Sequence, residues 1–202
     1  MQAGIRVALS LPYHTENDLA PFFKQHIPFF IRYNDGHDSQ GKFVQGPFYS
    51  YKQFIAQFNA STFIENRHLK NTCAIQWINT QCADGLYRKY RAYATPCSAI
   101  KGFVTQSDHW YIHGNNAHHT PDAMAKQAEY ISTPLSNNEE ALFKQIAQTL
   151  SLDFCAIDFA YKPNGEIVIW EANPHPALSN KEPSKTRITQ FLSEYYQGIL
   201  VD

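Results

Sequence analysis

The sequence predicts an α+β fold with mostly antiparallel sheet. Three observations carry that class. Strand-like runs crowd the middle of the chain, at 62–65, 73–78, 87–95, 99–105 and 109–113, and helical stretches follow them as a group. Ala141, Leu142, Ile146 and Leu150 recur at helical spacing. Two apolar runs, each holding an acid, flank Pro163-Asn164-Gly165, and Asn-Gly between strands is the strongest short hairpin signal, because a type I′ turn needs positive φ twice.

The elements follow in order. Residues 4–10 (GIRVALS) read as a short strand. Thr15-Glu16-Asn17-Asp18 starts a helix that runs into LAPFFKQ, with Pro21 tolerated in its first turn. Ile27–Arg32 is an apolar strand, and the polar stretch Asn34–Lys42 reads as a glycine loop. Tyr51–Phe58 is a helix, followed by the five strand-like runs above. Helices are expected over about 121–131 and 138–150, then the two acid-bearing strands, then a helix over about 184–197.

The chain has 202 residues, enough for one domain with a substantial core. A net charge of -1 gives no basic surface for nucleic acid or membrane. No run is long and apolar enough to span a bilayer, and no signal-peptide pattern opens the chain. Cys73, Cys82, Cys97 and Cys155 form no CxxC pair and read as reduced thiols, so a cytoplasmic protein is expected.

The acids pose the central question. Asp158 lies in Phe154-Cys155-Ala156-Ile157-Asp158-Phe159, and Glu171 follows Ile167-Val168-Ile169-Trp170. Burying an unpaired carboxylate is costly. With Asn164 and Gly165 as a two-residue turn, Asp158 stands directly across from Glu171, and Asn173 points to the same face. That face reads Ala156, Asp158, Ala160, Ile169, Glu171, Asn173; the other, Ile157, Phe159, Val168 and Trp170, is core. Like charges opposed on a sheet are destabilising. A divalent cation such as Mg²⁺ between them would resolve this, since hard cations take carboxylate and amide oxygens and bring phosphates. The alternative is a proton-shared or solvated pair at a sheet end.

Gly36-His37-Asp38-Ser39-Gln40-Gly41-Lys42 is nearly a Walker A loop, but Phe43 stands where its hydroxyl belongs and Gly46-Pro47 replaces the expected helix. The P-loop reading is therefore rejected. An amide-presenting loop can still cover phosphates, and Arg32 just before it is placed to pair with them; an ordinary surface loop is the other reading. His109 and His113, with His118 and His119 behind, invite zinc, but Trp110 breaks HExxH and a strand would put His109, Tyr111 and His113 on one wet face. In DGLYRKYRAYA, Tyr87, Lys89, Arg91 and Tyr93 share a face. Interleaved Arg and Tyr could bind single-stranded RNA, but without net basic charge phosphate handling within a site is preferred.

Together these pieces resemble the ATP-grasp superfamily, over roughly residues 20–180. Asp158 in AIDF, then Glu171-Ala172-Asn173-Pro174, is similar to its metal-binding Asp and Glu-x-Asn. PFFIRYNDGHDSQGKF is similar to its phosphate-covering strand and loop, and AIQWIN to its adenine-holding hinge. DGLYRKYRAYA and SDHWYIHGNNA resemble runs of one subgroup. The resemblance implies a single ATP-grasp domain over 1–202 with lobes of about 1–78 and 79–202, ATP and Mg²⁺ (or Mn²⁺) held between them, and ligation of a small-molecule or peptide carboxylate through an acylphosphate. It makes Asp158, Glu171 and Asn173 metal ligands, and Arg91 the contact to the γ-phosphate or acylphosphate. Arg32, Gly36, Ser39, Gly41, Lys42, Gln76, Trp77 and Ile78 become ATP-binding, with Arg32 where the family usually has a lysine. The family's other ATP lysine and its N-terminal domain are not found here, so a homo-oligomer or partner chain supplying that domain, or a non-catalytic nucleotide-binding module, stands as the alternative expectation.

Overall fold

The computed structural model describes residues 5, 7–33, 44–58, 72–178 and 184–199. They fall into two units. The first lies within Ala8–Asn79 and His113–Asn116, the second within Met1–Val7, Thr80–Ile112 and Ala117–Asp202.

The first unit is an antiparallel sheet of four strands: β1 (Ser10–Pro12), β2 (Phe29–Tyr33), β3 (Val44–Phe48) and β4 (Thr72–Gln76), in spatial order β1-β4-β2-β3. A 3₁₀ turn at Glu16–Leu19 leads into α1 (Ala20–Lys24), with Pro21 in its first turn as the sequence requires. Thr15 and Asp18 form a capping box at its start. Helix α2 (Tyr51–Gln57) is capped by Ser50 Oγ, which accepts from Gln53 N. The alternate residues Phe29, Ile31 and Tyr33 point inward with Phe22, Phe48 and Phe54. Their rings meet at tilted or edge-on angles, with Phe22 and Phe29 centroids 5.1 Å apart, a geometry worth more than its buried area alone.

Two expectations change in this unit. Of the strand predicted over 4–10, Ser10 lies in β1 (Ser10–Pro12), where pairing with β4 begins opposite Ile75, and residues 4 and 6 lie outside the described residues. Strand β3 has no forerunner in the sequence reading, since Gly46-Pro47 reads as a breaker. It is an edge strand, where proline's missing N–H costs no ladder bond. A bulge sits there, and Gly46 (φ +129°) lies so close to Phe30 that a Cβ would meet its Cα at 3.0 Å. The expected run 62–65 lies outside the described residues.

The second unit holds β5 (Tyr87–Ala94), β6 (Ala99–Ser107), β7 (Cys155–Tyr161) and β8 (Ile167–Asn173), antiparallel throughout in the order β6-β5-β7-β8. Helices α3 (Pro121–Ser132) and α4 (Asn137–Thr149) share a core with one sheet face through Tyr130, Ile131, Phe143, Ile146, Ile157 and Phe159. Helix α5 (Ser184–Ile199) packs Ile188 and Phe191 against Tyr93 and Ala156, on the other face. The stretch 109–113 holds bends to residue 111 and no strand, so His109, Tyr111 and His113 share no strand face.

Helix α4 opens on a capping box: Ser136 N donates to Glu139 Oε2 (2.7 Å) and Glu139 N to Ser136 Oγ (3.3 Å). Tyr161 OH donates to the other carboxylate oxygen. Burial pushes the Glu139 carboxyl upward, but the bonds from Tyr161 and Ser136 and the charge of Lys101 outweigh it and hold it below its ordinary value. A depressed carboxyl stabilises the fold above the unfolded value, and that stability is lost as pH falls through the folded one. Glu139→Gln keeps the capping geometry but loses the charge at the start of α4, and is therefore expected to cost about 0.3–1 kcal/mol at neutral pH. The gap to wild type should close as pH falls below about 4.5. Urea denaturation at pH 7 and pH 3.5 measures it, and an undiminished gap at low pH would remove the charge from the explanation.

The hairpin between β7 and β8 departs from the two-residue turn. Lys162 N donates to Glu166 O (2.8 Å), which leaves a three-residue loop of Pro163, Asn164 and Gly165, the last at φ +83°. The register is thereby offset by one, and Phe159 pairs with Ile169. A bulge at Trp170 then restores it, and Asp158 pairs with Glu171 after all. The slip exchanges side chains between turn and bulge. Ile169 belongs to the helix-covered core rather than to the acid face. Val168, expected in that core, pairs with Ala160 on the acid side, and Trp170 is 37% exposed.

Candidate functional site

The chemistry of the second unit gathers on the face away from α3 and α4. Three adjacent strands contribute to one cross-strand row: Arg91 on β5 pairs with Asp158 on β7, which pairs with Glu171 on β8. Asn173, two residues further along β8, pairs with Ala156 on the same face.

Asp158 is only 6% exposed, and its charge is answered within the protein. Arg91 grips it with both ends of its fork, Nε to Oδ1 at 2.6 Å and Nη2 to Oδ2 at 2.9 Å. Lys89 Nζ lies 3.4 Å from Oδ2. Arg91 is held in turn by the Phe103 ring, 4.9 Å below its guanidinium. Burial disfavours the Arg91 charge most, but the bonds and charge of Asp158 outweigh it and leave the group more strongly protonated than an ordinary arginine. A β6 bulge opposite Arg91 makes room for this stem. At Gly102 a Cβ would meet Tyr93 Cε2 at 2.8 Å and Arg91 Cγ at 3.1 Å.

Glu171 is exposed, and Asn173 is half-buried with its Oδ1 accepting from His175 N (2.8 Å). Two carboxylates and a carboxamide form a hard-oxygen set, the donor chemistry that Mg²⁺ or Mn²⁺ takes. Asn173 Oδ1 keeps a second lone pair, and so do the carboxylate oxygens beyond the Arg91 fork. The residues therefore fit such an ion. Among the described residues, no group of three or more His, Cys, Asp or Glu is placed to hold a metal. His109 and His118 instead flank Asp108, at 3.7 and 3.5 Å from Oδ1.

In the first unit, Arg32 lies on β2 opposite Cys73 and Val44. Gln76 ends β4 opposite Phe29, three positions from Arg32 along β2, or about 10 Å. Gln76 N donates to Leu9 O (2.7 Å) and Trp77 N to Pro28 O (2.8 Å), so both are committed to the sheet. Trp77 packs edge-on against Tyr49, and Ile78 follows it, half-buried. Gly36, Ser39, Gly41 and Lys42 lie outside the described residues.

Two further sequence signals resolve here. Alternation puts Lys89 on the Arg91 face, and there it contacts Asp158. Two of the three β5 tyrosines are not presented as an RNA platform. Tyr93 is fully buried and Tyr90 stacks on Phe159 with centroids 5.5 Å apart, leaving those rings no face for bases. No helix among the described residues is long and apolar enough to cross a membrane.

Two four-stranded antiparallel sheets, one with an aromatic core and one with a charged row across three strands, define a two-unit α+β protein. No family model matches the sequence, and no curated protein does. Solved structures do. The ATP-grasp ligase PsnB complexed with minimal precursor is 13% identical, with a TM-score of 0.50, over 90% of this chain and 51% of that one. The macrocyclase MdnC bound with precursor peptide MdnA, from Microcystis aeruginosa MRC, is 12% identical over 91% of this chain and 53% of that one, with a TM-score of 0.47. The ADP complex of purK, an N5-carboxyaminoimidazole ribonucleotide synthetase, is 19% identical over 87% and 42%, with a TM-score of 0.47. The chain thus spans about half the length of these structures. At such identity the likeness is one of fold, and the PsnB match carries it: the chain has the ATP-grasp fold.

Proposed function

We propose that this chain is an ATP-dependent ligase that joins a small-molecule or peptide carboxylate to an amine or other nucleophile through an acylphosphate, releasing ADP. The observation that carries the reading is the row Arg91–Asp158–Glu171, with Asn173 beside it, on one face of an ATP-grasp sheet. In this reading the chain is one ATP-grasp domain with lobes of about 1–78 and 79–202.

Asp158, Glu171 and Asn173 would hold Mg²⁺ or Mn²⁺ through their oxygens, and the ion would supply neutralisation and orientation of phosphate charge. Arg32 presents a positive charge on β2 for phosphate. The hinge after β4 would meet the adenine edge through its carbonyls and Ile78, since the N–H groups of Gln76 and Trp77 are committed elsewhere. Gly36, Ser39, Gly41 and Lys42 would cover the phosphates with backbone amides. Arg91 would stabilise the charge that develops on the transferring phosphoryl group. That PsnB and MdnC are described with precursor and precursor peptide supports peptide carboxylates as the first class to try.

The test is ADP release with Mg²⁺ across a panel of carboxylates, peptides included, and amines. Turnover that requires both ATP and one carboxylate supports a ligase. A second reading is a nucleotide-binding module, or one subunit of a two-protein ligase, favoured by the full engagement of the Arg91 fork with Asp158. Protein that gains thermal stability from ATP and Mg²⁺ but releases no ADP on any pair would establish that reading instead.

A further inference from the structure

We propose that Lys89 sets the metal affinity of this face: it is the displaceable counter-ion of Asp158, and its ammonium opposes a divalent cation there. The inference rests on the proposed cation role of Asp158 and Glu171 and adds a residue to it.

Two basic groups contact Asp158, and they are held very differently. Arg91 makes two short bonds, rests on the Phe103 ring and has a side chain only 16% exposed. Lys89 makes a single contact of 3.4 Å to Oδ2 from a side chain 29% exposed. A planar fork pinned on a ring yields its carboxylate at high cost, whereas a flexible, strongly hydrated ammonium turns to water at little cost. A cation on Oδ2 would stand no more than about 6 Å from Lys89 Nζ if the lysine stayed in place. At that range one positive charge against two changes affinity by about tenfold. Lys89 is therefore placed to weaken cation binding, and Arg91 to keep Asp158 in position while it occurs.

The experiment is titration of Mn²⁺ alone into the full chain, by calorimetry or by the free-ion paramagnetic resonance signal. Lys89→Met should bind Mn²⁺ about tenfold more tightly than wild type, and Lys89→Arg should stay near wild type because it keeps the charge. Adding Glu171→Gln to Lys89→Met should abolish the gain, which places the ion on this face. Equal or weaker binding by Lys89→Met overturns the proposal. So does Lys89→Arg binding as tightly as Lys89→Met, or a gain that survives Glu171→Gln. If wild type shows no Mn²⁺ binding, Lys89→Met gaining it supports the proposal and its failing to do so overturns it. A tighter Mn²⁺ site in protein that never binds ATP would leave the role of Lys89 standing and remove the ligase reading.

Discussion

Asp158→Ala is expected to cost about 3–5 kcal/mol of stability, because it strands the Arg91 guanidinium as a buried, unpaired charge. For a chain of this size that is a fall in melting temperature of roughly 6–20 °C. The sequence by itself points the other way: two acids directly opposed on a sheet repel, so neutralising either should help. The structure reverses the sign at one position only. Asp158 is buried and gripped by the Arg91 fork, while Glu171 is exposed. Glu171→Gln should therefore move stability by no more than about 0.5 kcal/mol. Both variants should lose the Mg²⁺-dependent stabilisation by ATP if the proposed cation role holds. Pairing Asp158→Leu with Arg91→Met should recover much of the loss, since a buried ion pair often exchanges for apolar side chains with little net change. Denaturant melts of the four proteins decide it. An Asp158→Ala variant within 1 kcal/mol of wild type would mean that the fork contributes little to the fold.

Arg32→Ala should weaken ATP binding by at least about 30-fold, the effect of losing one partner of a charge-assisted phosphate contact. The reason is local. Phe29, Ile31 and Tyr33 turn into the core, so alternation sends the Arg32 side chain to the opposite face of the sheet. No other described residue pairs with its guanidinium. Arg91 needs a gentler change, because Arg91→Ala would leave the buried Asp158 with only its single 3.4 Å contact to Lys89. Arg91→Lys keeps the charge and loses the two-point fork. If Arg91 acts on charge that develops during phosphoryl transfer, Arg91→Lys should leave the ATP Kd within a few-fold and lower turnover by about tenfold or more. Calorimetry for ATP and a coupled ADP assay separate the two residues. ATP binding unchanged in Arg32→Ala would withdraw Arg32 from the nucleotide site.

Much of the fold was legible because local rules set it. Thr15-Glu16-Asn17-Asp18 announces a helix start, and the structure places a capping box there. Apolar spacing places α4, and strand alternation in DGLYRKYR puts Lys89 and Arg91 on one face. The opposition of Asp158 and Glu171 was also legible, but by two departures that offset each other: a loop one residue longer than Asn-Gly predicts, and a bulge at Trp170. Strand β3 was not legible, since Gly46-Pro47 is a breaker anywhere but at a sheet edge. Nor were the bends at 109–111, because apparent alternation forms no strand where no described strand runs beside it.

The sequence by itself determined which residues share a strand face: two acids and an amide on consecutive strands, with Lys89 and Arg91 together on a third. Periodicity is local and needs only the chain. Tertiary structure alone decided that β5 lies beside β7, and so that the partner of Asp158 is Arg91, 67 residues away. Spatial strand order arises from packing of the whole sheet, which no local pattern encodes. For that reason a pair of acids that reads as like-charge conflict in the sequence is, in the fold, one exposed acid beside a buried ion pair.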